Sequence, residues 1–187
     1  MAGRVITVAE LDALPASEAG PLLASCCGAS DWVRVMLARR PFHDVDALLR
    51  TAEDVWWSLG PDDWRDAFAH HPRIGEQDAA VAMDERAVAW SAGEQRGVTD
   101  ANADVRAALA EGNREYERRF GHIYLVSAAG KSAGELLALL RARLSNDPQT
   151  ELRVAAGEQA KITRLRLLKL LGVPDPSDVS APEARTR

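Results

Sequence analysis

The sequence predicts a helical, single-domain protein, and three observations carry that prediction. Apolar residues recur at helical spacing in one segment after another, from Val45, Leu48, Leu49 and Ala52 to Leu152, Ala155, Ala156 and Ile162. Helix starts and stops punctuate these segments. Thr7-Val8-Ala9-Glu10 and Ser132-Ala133-Gly134-Glu135 read as capping boxes, and Gly121 is a natural residue just past a helix end. Only Ile123-Tyr124-Leu125-Val126-Ser127 has a strand-like apolar run, and it has no partner strand. A length of 187 residues suits one domain with a substantial core. That domain is assigned to residues 1–174, with 175–187 a polar tail rich in proline and serine and expected to be flexible.

In chain order, the first capping box opens a short helix with Leu11 and Leu14 as its apolar face and Pro15 as its end. A second helix is expected from Pro21 to Cys27, stopping at Gly28, and a third from Asp31 to Ala38 with Trp32, Val33, Met36 and Leu37 spaced for burial. The segment from Val45 to Trp56 and Trp57 reads as a core helix. Gly60-Pro61-Asp62-Asp63 then starts another, whose stripe of Trp64, Ala67 and Phe68 leads to His70 and His71. The three tryptophans are expected to wall the histidine segment. Ala79 to Trp90 is alanine-rich and helical in pattern. Asp100 to Phe120 is the longest unbroken helical pattern, carrying Val105, Leu109, Tyr116 and Phe120. The second capping box precedes Leu136, Leu137, Leu139, Leu140 and Leu144. After Asn146-Asp147-Pro148 a last helix is expected from about Thr150 to Leu171, with Leu165 and Leu168 on its stripe and Gly172 and Pro174 as its stop.

Composition narrows the function classes. The chain is 47% hydrophobic and 27% charged, as in an ordinary globule, and its net charge of −5 with scattered basic residues gives no nucleic-acid footprint. No apolar run approaches the roughly 20 residues that span a bilayer. Met1 to Glu10 lacks the basic and apolar regions of a signal peptide, and Arg185-Thr186-Arg187 is no peroxisomal address. Adjacent Cys26 and Cys27 suit neither a disulfide framework nor a zinc site, so a cytoplasmic protein is expected, with both cysteines buried as packing.

The chemistry concentrates in His70-His71-Pro72-Arg73-Ile74-Gly75-Glu76, in a chain with only 4 histidines. Pro72 disfavours the helical region for His71, so the preceding helix should break there and leave the His71 ring free to face a cleft. The plainer alternative is a helix terminus with histidine near the negative end of the dipole. A second polar cluster, Ser91-Ala92-Gly93-Glu94-Gln95, brings Ser91 to Glu94 at i, i+3 and to Gln95 at i, i+4 if helical; taken alone, it reads rather as a solvated helix end. Adjacent His70 and His71 point to different faces of a helix and no H-E-x-x-H is present, so no metal site is expected. Gly130-Lys131-Ser132 resembles the end of a phosphate-binding loop, but Leu125 stands where that motif needs glycine. Metal-free acid/base chemistry by a histidine remains, with Glu94 orienting groups and Arg166 as a fork for carboxylate or carbonyl oxygens. The unpaired backbone of Ile123 to Val126 needs partners, and a ligand is one candidate.

The chain resembles the 2-oxo-4-hydroxy-4-carboxy-5-ureidoimidazoline (OHCU) decarboxylases, which form (S)-allantoin after urate oxidation. The resemblance rests on His71-Pro72-Arg73-Ile74-Gly75-Glu76, Ser91-x-x-Glu94-Gln95, Phe120-Gly121-His122-Ile123-Tyr124-Leu125-Val126 and Lys161-Ile162-Thr163-Arg164-Leu165-Arg166-Leu167, in the family's order. It implies an all-α single-domain bundle of about eight or more helices, usually a homodimer, with no cofactor. It implies His71, Glu94 and Arg166 as the catalytic set. It also implies that Pro72, Ser91, Ala92, Gly93, Glu94, Gln95, Tyr124, Leu125, Val126, Ser127 and Ala128 bind the substrate. Ser127 stands where animal members often have cysteine. The rival readings are a helical ureide-binding protein and an inactive scaffold partner of urate-pathway enzymes.

Overall fold

The computed structural model describes residues 5–74, 85–94 and 103–175. Among them are nine helices and no strand: α1 Val8–Ala13, α2 Ala16–Cys26, α3 Ser30–Ala38, α4 Val45–Ser58, α5 Pro61–Ala69, α6 Glu85–Glu94, α7 Ala103–Phe120, α8 Ala133–Arg143 and α9 Pro148–Leu171. The expected all-α, single-domain fold is borne out.

Both capping boxes form. Thr7 Oγ1 accepts from the Glu10 amide at 3.1 Å while Glu10 returns a bond to the Thr7 amide at 2.7 Å, and Ser132 and Glu135 do the same at 3.3 and 2.8 Å. Each such cap contributes about 1 kcal/mol. The last helix starts two residues earlier than expected. Asp147 accepts from the Gln149 and Thr150 amides at 3.1 and 3.0 Å, and Pro148 takes the first helical position, where its missing N–H costs nothing. Among the described residues it is also the longest helix, at 24 residues against 18 for α7. The second helix likewise begins early, at Ala16, with Pro21 inside it. Pro21 removes one early ladder bond, and the burial of Ala19 and Leu23 on that helix outweighs the loss.

Helix α9 is the axis of the molecule and packs on α2, α4, α5 and α7, while α8 packs chiefly on α7. One apolar core joins α1 to α5 with α9 around Trp32, Trp56, Phe68 and Leu48. A second joins α7, α8 and the segment 124–128 around Tyr116, Leu109 and Leu140. Trp56 Nε1 donates to Ala156 O at 2.9 Å and Trp64 Nε1 to Trp56 O at 3.3 Å, so two of the three tryptophans brace α4 and α5 against α9. Trp57 is 43% exposed and Leu139 39% exposed. Leu165 is half-buried, and Leu167 and Leu170 take the core positions instead. In each case helical spacing marks an apolar stripe without saying how wide a stripe the neighbours cover.

Candidate active site

Helix α5 ends at Ala69, and the His70 and His71 amides bond back to Ala67 O and Phe68 O at 3.2 and 3.1 Å. The break before Pro72 is the one its ring demands. The His70 ring is anchored through Nδ1 to Asp66 O at 2.8 Å and lies over Gly28, where an added Cβ would stand 2.4 Å from the ring. Helix α7 holds the other side of the turn. Glu117 takes Arg73 in a two-point ion pair at 2.6 and 3.0 Å, and Asn113 Nδ2 donates to Ile74 O at 2.9 Å. This support comes from α7 rather than from the tryptophans. Gly75 and Glu76 lie outside the described residues.

On α6, Ser91 and Glu94 share one face, as their spacing requires, and Arg166 of α9 gathers both. Its Nη2 donates to Ser91 Oγ at 2.8 Å and to Glu94 Oε2 at 3.1 Å, Nε donates to Glu94 Oε1 at 3.3 Å, and Nη1 reaches Ser25 O at 3.5 Å. Arg166 is 2% exposed, whereas Arg164 is on the outside. Lys169, one turn on, adds a bond to Glu94 Oε1 at 3.2 Å. Ala92 and Gly93 are exposed and turned from this array, and Gln95 lies outside the described residues.

The segment after Gly121 is extended, and side chains supply most of its partners. Arg143 Nη1 donates to Leu125 O at 2.8 Å, the Ser127 amide donates to Glu158 Oε2 at 2.8 Å, and Lys131 Nζ donates to Ser127 O at 2.7 Å. Of the Ile123 to Val126 groups expected to need partners, with a ligand as one candidate, the Leu125 carbonyl finds its partner in Arg143. Among the described residues, no protein group meets the amide or carbonyl of Val126. Behind the segment, Arg143 lies 4.8 Å from the Tyr124 ring centre and pairs with fully buried Glu151 at 2.6 Å. Tyr116 and Asn146 also donate to Glu151. Burial raises the Tyr124 hydroxyl to about 12, so it stays protonated and donates to Leu136 O.

These pieces meet in a tight cleft with a free volume of about 20 Å³ at the seam of the two cores. His71, Pro72 and Ile74 form one side, Ser91 and Glu94 another, and Tyr124, Leu125, Val126 and Ala128 the third, with Ile162 of α9 among the lining residues. Arg166 reaches the cleft through Ser91 and Glu94 rather than lining it. Ser127 is buried beside the cleft, outside its lining. The His71 ring is enclosed although the residue keeps some exposure. Burial first, then the Arg166 charge, hold its pKa well below the ordinary histidine value. At neutral pH it is therefore an uncharged imidazole. Burial pushes the Cys26 and Cys27 thiols up to about 12, which makes both inert. Among the described residues no three His, Cys, Asp or Glu side chains converge as a metal site.

The cleft is thus a helical one lined by an uncharged histidine and a carboxylate, with a buried guanidinium behind that carboxylate. The family model described as OHCU decarboxylase matches residues 12–168, and the chain belongs to that family. It is 34% identical over 146 residues to the uric acid degradation bifunctional protein TTL of Arabidopsis thaliana, a match covering 78% of this chain and 45% of that protein. The chain thus spans less than half the length of that relative. It is 35% identical to the 2-oxo-4-hydroxy-4-carboxy-5-ureidoimidazoline decarboxylase of Amia calva, covering 72% of this chain and 77% of the relative. Among solved structures it is similar to an OHCU decarboxylase crystallised in the presence of (S)-allantoin, at 32% identity and a TM-score of 0.70, over 81% of this chain and 98% of that one.

Proposed function

We propose that this protein decarboxylates OHCU to (S)-allantoin in urate degradation, without a cofactor, through His71. The observation that carries this reading is the convergence of His71, Ser91, Glu94 and the 124–128 segment on one cleft, in a chain of this family. The implied substrate explains why no electron sink is needed. The bond from the ring carbon to the carboxylate breaks as CO2 leaves, its electron pair forms a C=C bond to the neighbouring ring carbon, the C=N pair of that carbon moves onto the ring nitrogen, and that nitrogen takes one proton. The resulting enol then passes its hydroxyl proton, by way of His71, to the neighbouring carbon, which becomes the S centre. An uncharged imidazole suits this relay because it must first accept and then donate. Glu94 and Ser91 anchor hydroxyl or ureido N–H groups, and Pro72 shapes the wall beneath them. The free amide and carbonyl of Val126 supply backbone contacts to the same ligand. Arg166 keeps Glu94 and Ser91 in place. Clamping the departing carboxylate would stabilise the ground state more than the transition state, so a positioning role is the one that aids turnover.

The test generates OHCU in situ from urate with urate oxidase and 5-hydroxyisourate hydrolase and follows circular dichroism. Rapid appearance of the (S)-allantoin signal, lost in His71→Asn with the fold intact, is expected. A decay unchanged by the protein would reject the enzyme and favour ureide binding. From the family resemblance we also infer a cytoplasmic homodimer. Sedimentation equilibrium at the monomer mass of 20.3 kDa would reject the dimer.

A further inference from the structure

One buried polar group behind the cleft has no place in that account. Gln159 is completely buried in the middle of α9, and its Oε1 has no hydrogen-bond partner. An unpaired buried carbonyl costs about 1–3 kcal/mol, so such a group in a folded core calls for a reason. The helix register supplies one. Gln159, Ile162 and Arg166 recur on a single face of α9. Ile162 lines the cleft and Arg166 organises Glu94 and Ser91, which leaves Gln159 to serve the remaining member, His71. The Gln159 amide lies within hydrogen-bonding reach of the His71 ring.

Its orientation follows from the far end. Gln159 Nε2 donates to Thr163 Oγ1 at 3.1 Å. The Thr163 hydroxyl in turn lies within hydrogen-bonding reach of the Cys27 sulfur, which leaves the hydroxyl lone pair for Gln159. With Nε2 committed to Thr163, Oε1 is the end turned to the histidine. Among the described residues no other group takes up Oε1.

We propose that Gln159, held by Thr163, is the positioning residue of His71: its Oε1 accepts the N–H of one ring nitrogen and so presents the other, with its lone pair, to the cleft. This rests on the decarboxylase reading. It deepens that reading by giving the relay a starting tautomer, since an imidazole that must first take the enol proton needs its unprotonated nitrogen towards the substrate. Besides Gln159, the charged or titratable groups around His71 among the described residues are Arg166, His70, Glu94 and Tyr124.

The test combines ¹⁵N NMR of the histidine rings, with the His71 signals assigned by their loss in His71→Asn, and steady-state kinetics on OHCU. Wild type should show one His71 tautomer. Gln159→Met, close in size and apolar, should show a mixture of tautomers, with kcat 10- to 100-fold lower and KM within threefold. Gln159→Glu, which keeps an acceptor, should restore a single tautomer and raise the His71 pKa. If Gln159→Met fails to fold, Thr163→Val, which releases the amide, should show the same mixture. An unchanged His71 ¹⁵N pattern in Gln159→Met, or in Thr163→Val in its place, overturns the proposal, as does a kcat within twofold of wild type. If wild type gives no turnover, the decarboxylase reading falls, while the NMR pattern still decides what Gln159 does.

Discussion

At the scale of single residues, the site depends on contacts with little slack. Gly28 lies under the His70 ring, and that ring is tied to Asp66 O, so neither partner yields easily. Gly28→Ala is expected to destabilise the protein by about 1–3 kcal/mol and to lower turnover, because His71 moves with its neighbour. Urea unfolding and allantoin formation measure the two effects. Arg166 is a second such residue, engaging Ser91 and both oxygens of Glu94 with one planar fork. Lysine keeps the charge but not the fork, so Arg166→Lys should cost at least tenfold in kcat. Turnover within twofold of wild type would show that the array tolerates a point charge. Arg164 and Arg166, two positions apart, face different ways on the helix, and burial makes Arg166 the inward group.

At the scale of elements, the 124–128 segment is a backbone strap held by side chains from α8 and α9. The anchor is the Arg143–Glu151 pair, closed off by Tyr116 and Asn146. Glu151→Gln leaves a buried guanidinium uncompensated and is expected to cost about 3–5 kcal/mol, seen as a lower urea midpoint. Glu158→Gln should be milder, since Glu158 is only partly buried and the amide can still accept from Ser127; its effect should appear in KM more than in stability. These partners were missed in the sequence for a definite reason. A side-chain-bonded strap carries no period, and the polar residues that hold it read as surface positions. One signal was present. Glu151, Gln159 and Arg166 sit on the same stripe of α9 as Ala155 and Ile162, and polar residues on an apolar stripe mark a buried network.

At the scale of the whole molecule, histidine burial sets the pH response. His71 and His122 both have folded pKa values lowered, chiefly by burial, below the roughly 6.5 of an unfolded chain. Below about pH 6.5 the unfolded state therefore binds more protons, so their contribution is complete above that pH and is lost as pH falls. The urea midpoint should drop between pH 7.5 and pH 5.5, and less so in His71→Asn; an equal drop in that variant would assign the effect to other groups. Glu135 and Asp147, lowered by their helix-cap hydrogen bonds, add a second loss below about pH 4.

Local chemistry alone determined much of this protein. Apolar periodicity, two capping boxes and the break at Pro72 define helices and put His71 at a helix end, because propensity, caps and proline sterics act over a few residues of chain. Spacing likewise put Ser91 and Glu94 on one face. Tertiary structure decided the rest. It seated α9 at the centre and turned Arg166 and Gln159 inward. It supplied Asn113 and Glu117 to hold the histidine turn, and it exposed Trp57 and Leu139, which spacing alone would have buried. A helix stripe records which residues prefer to leave water, but only the neighbours that pack against it determine how much of the stripe they cover and which polar groups must find partners inside.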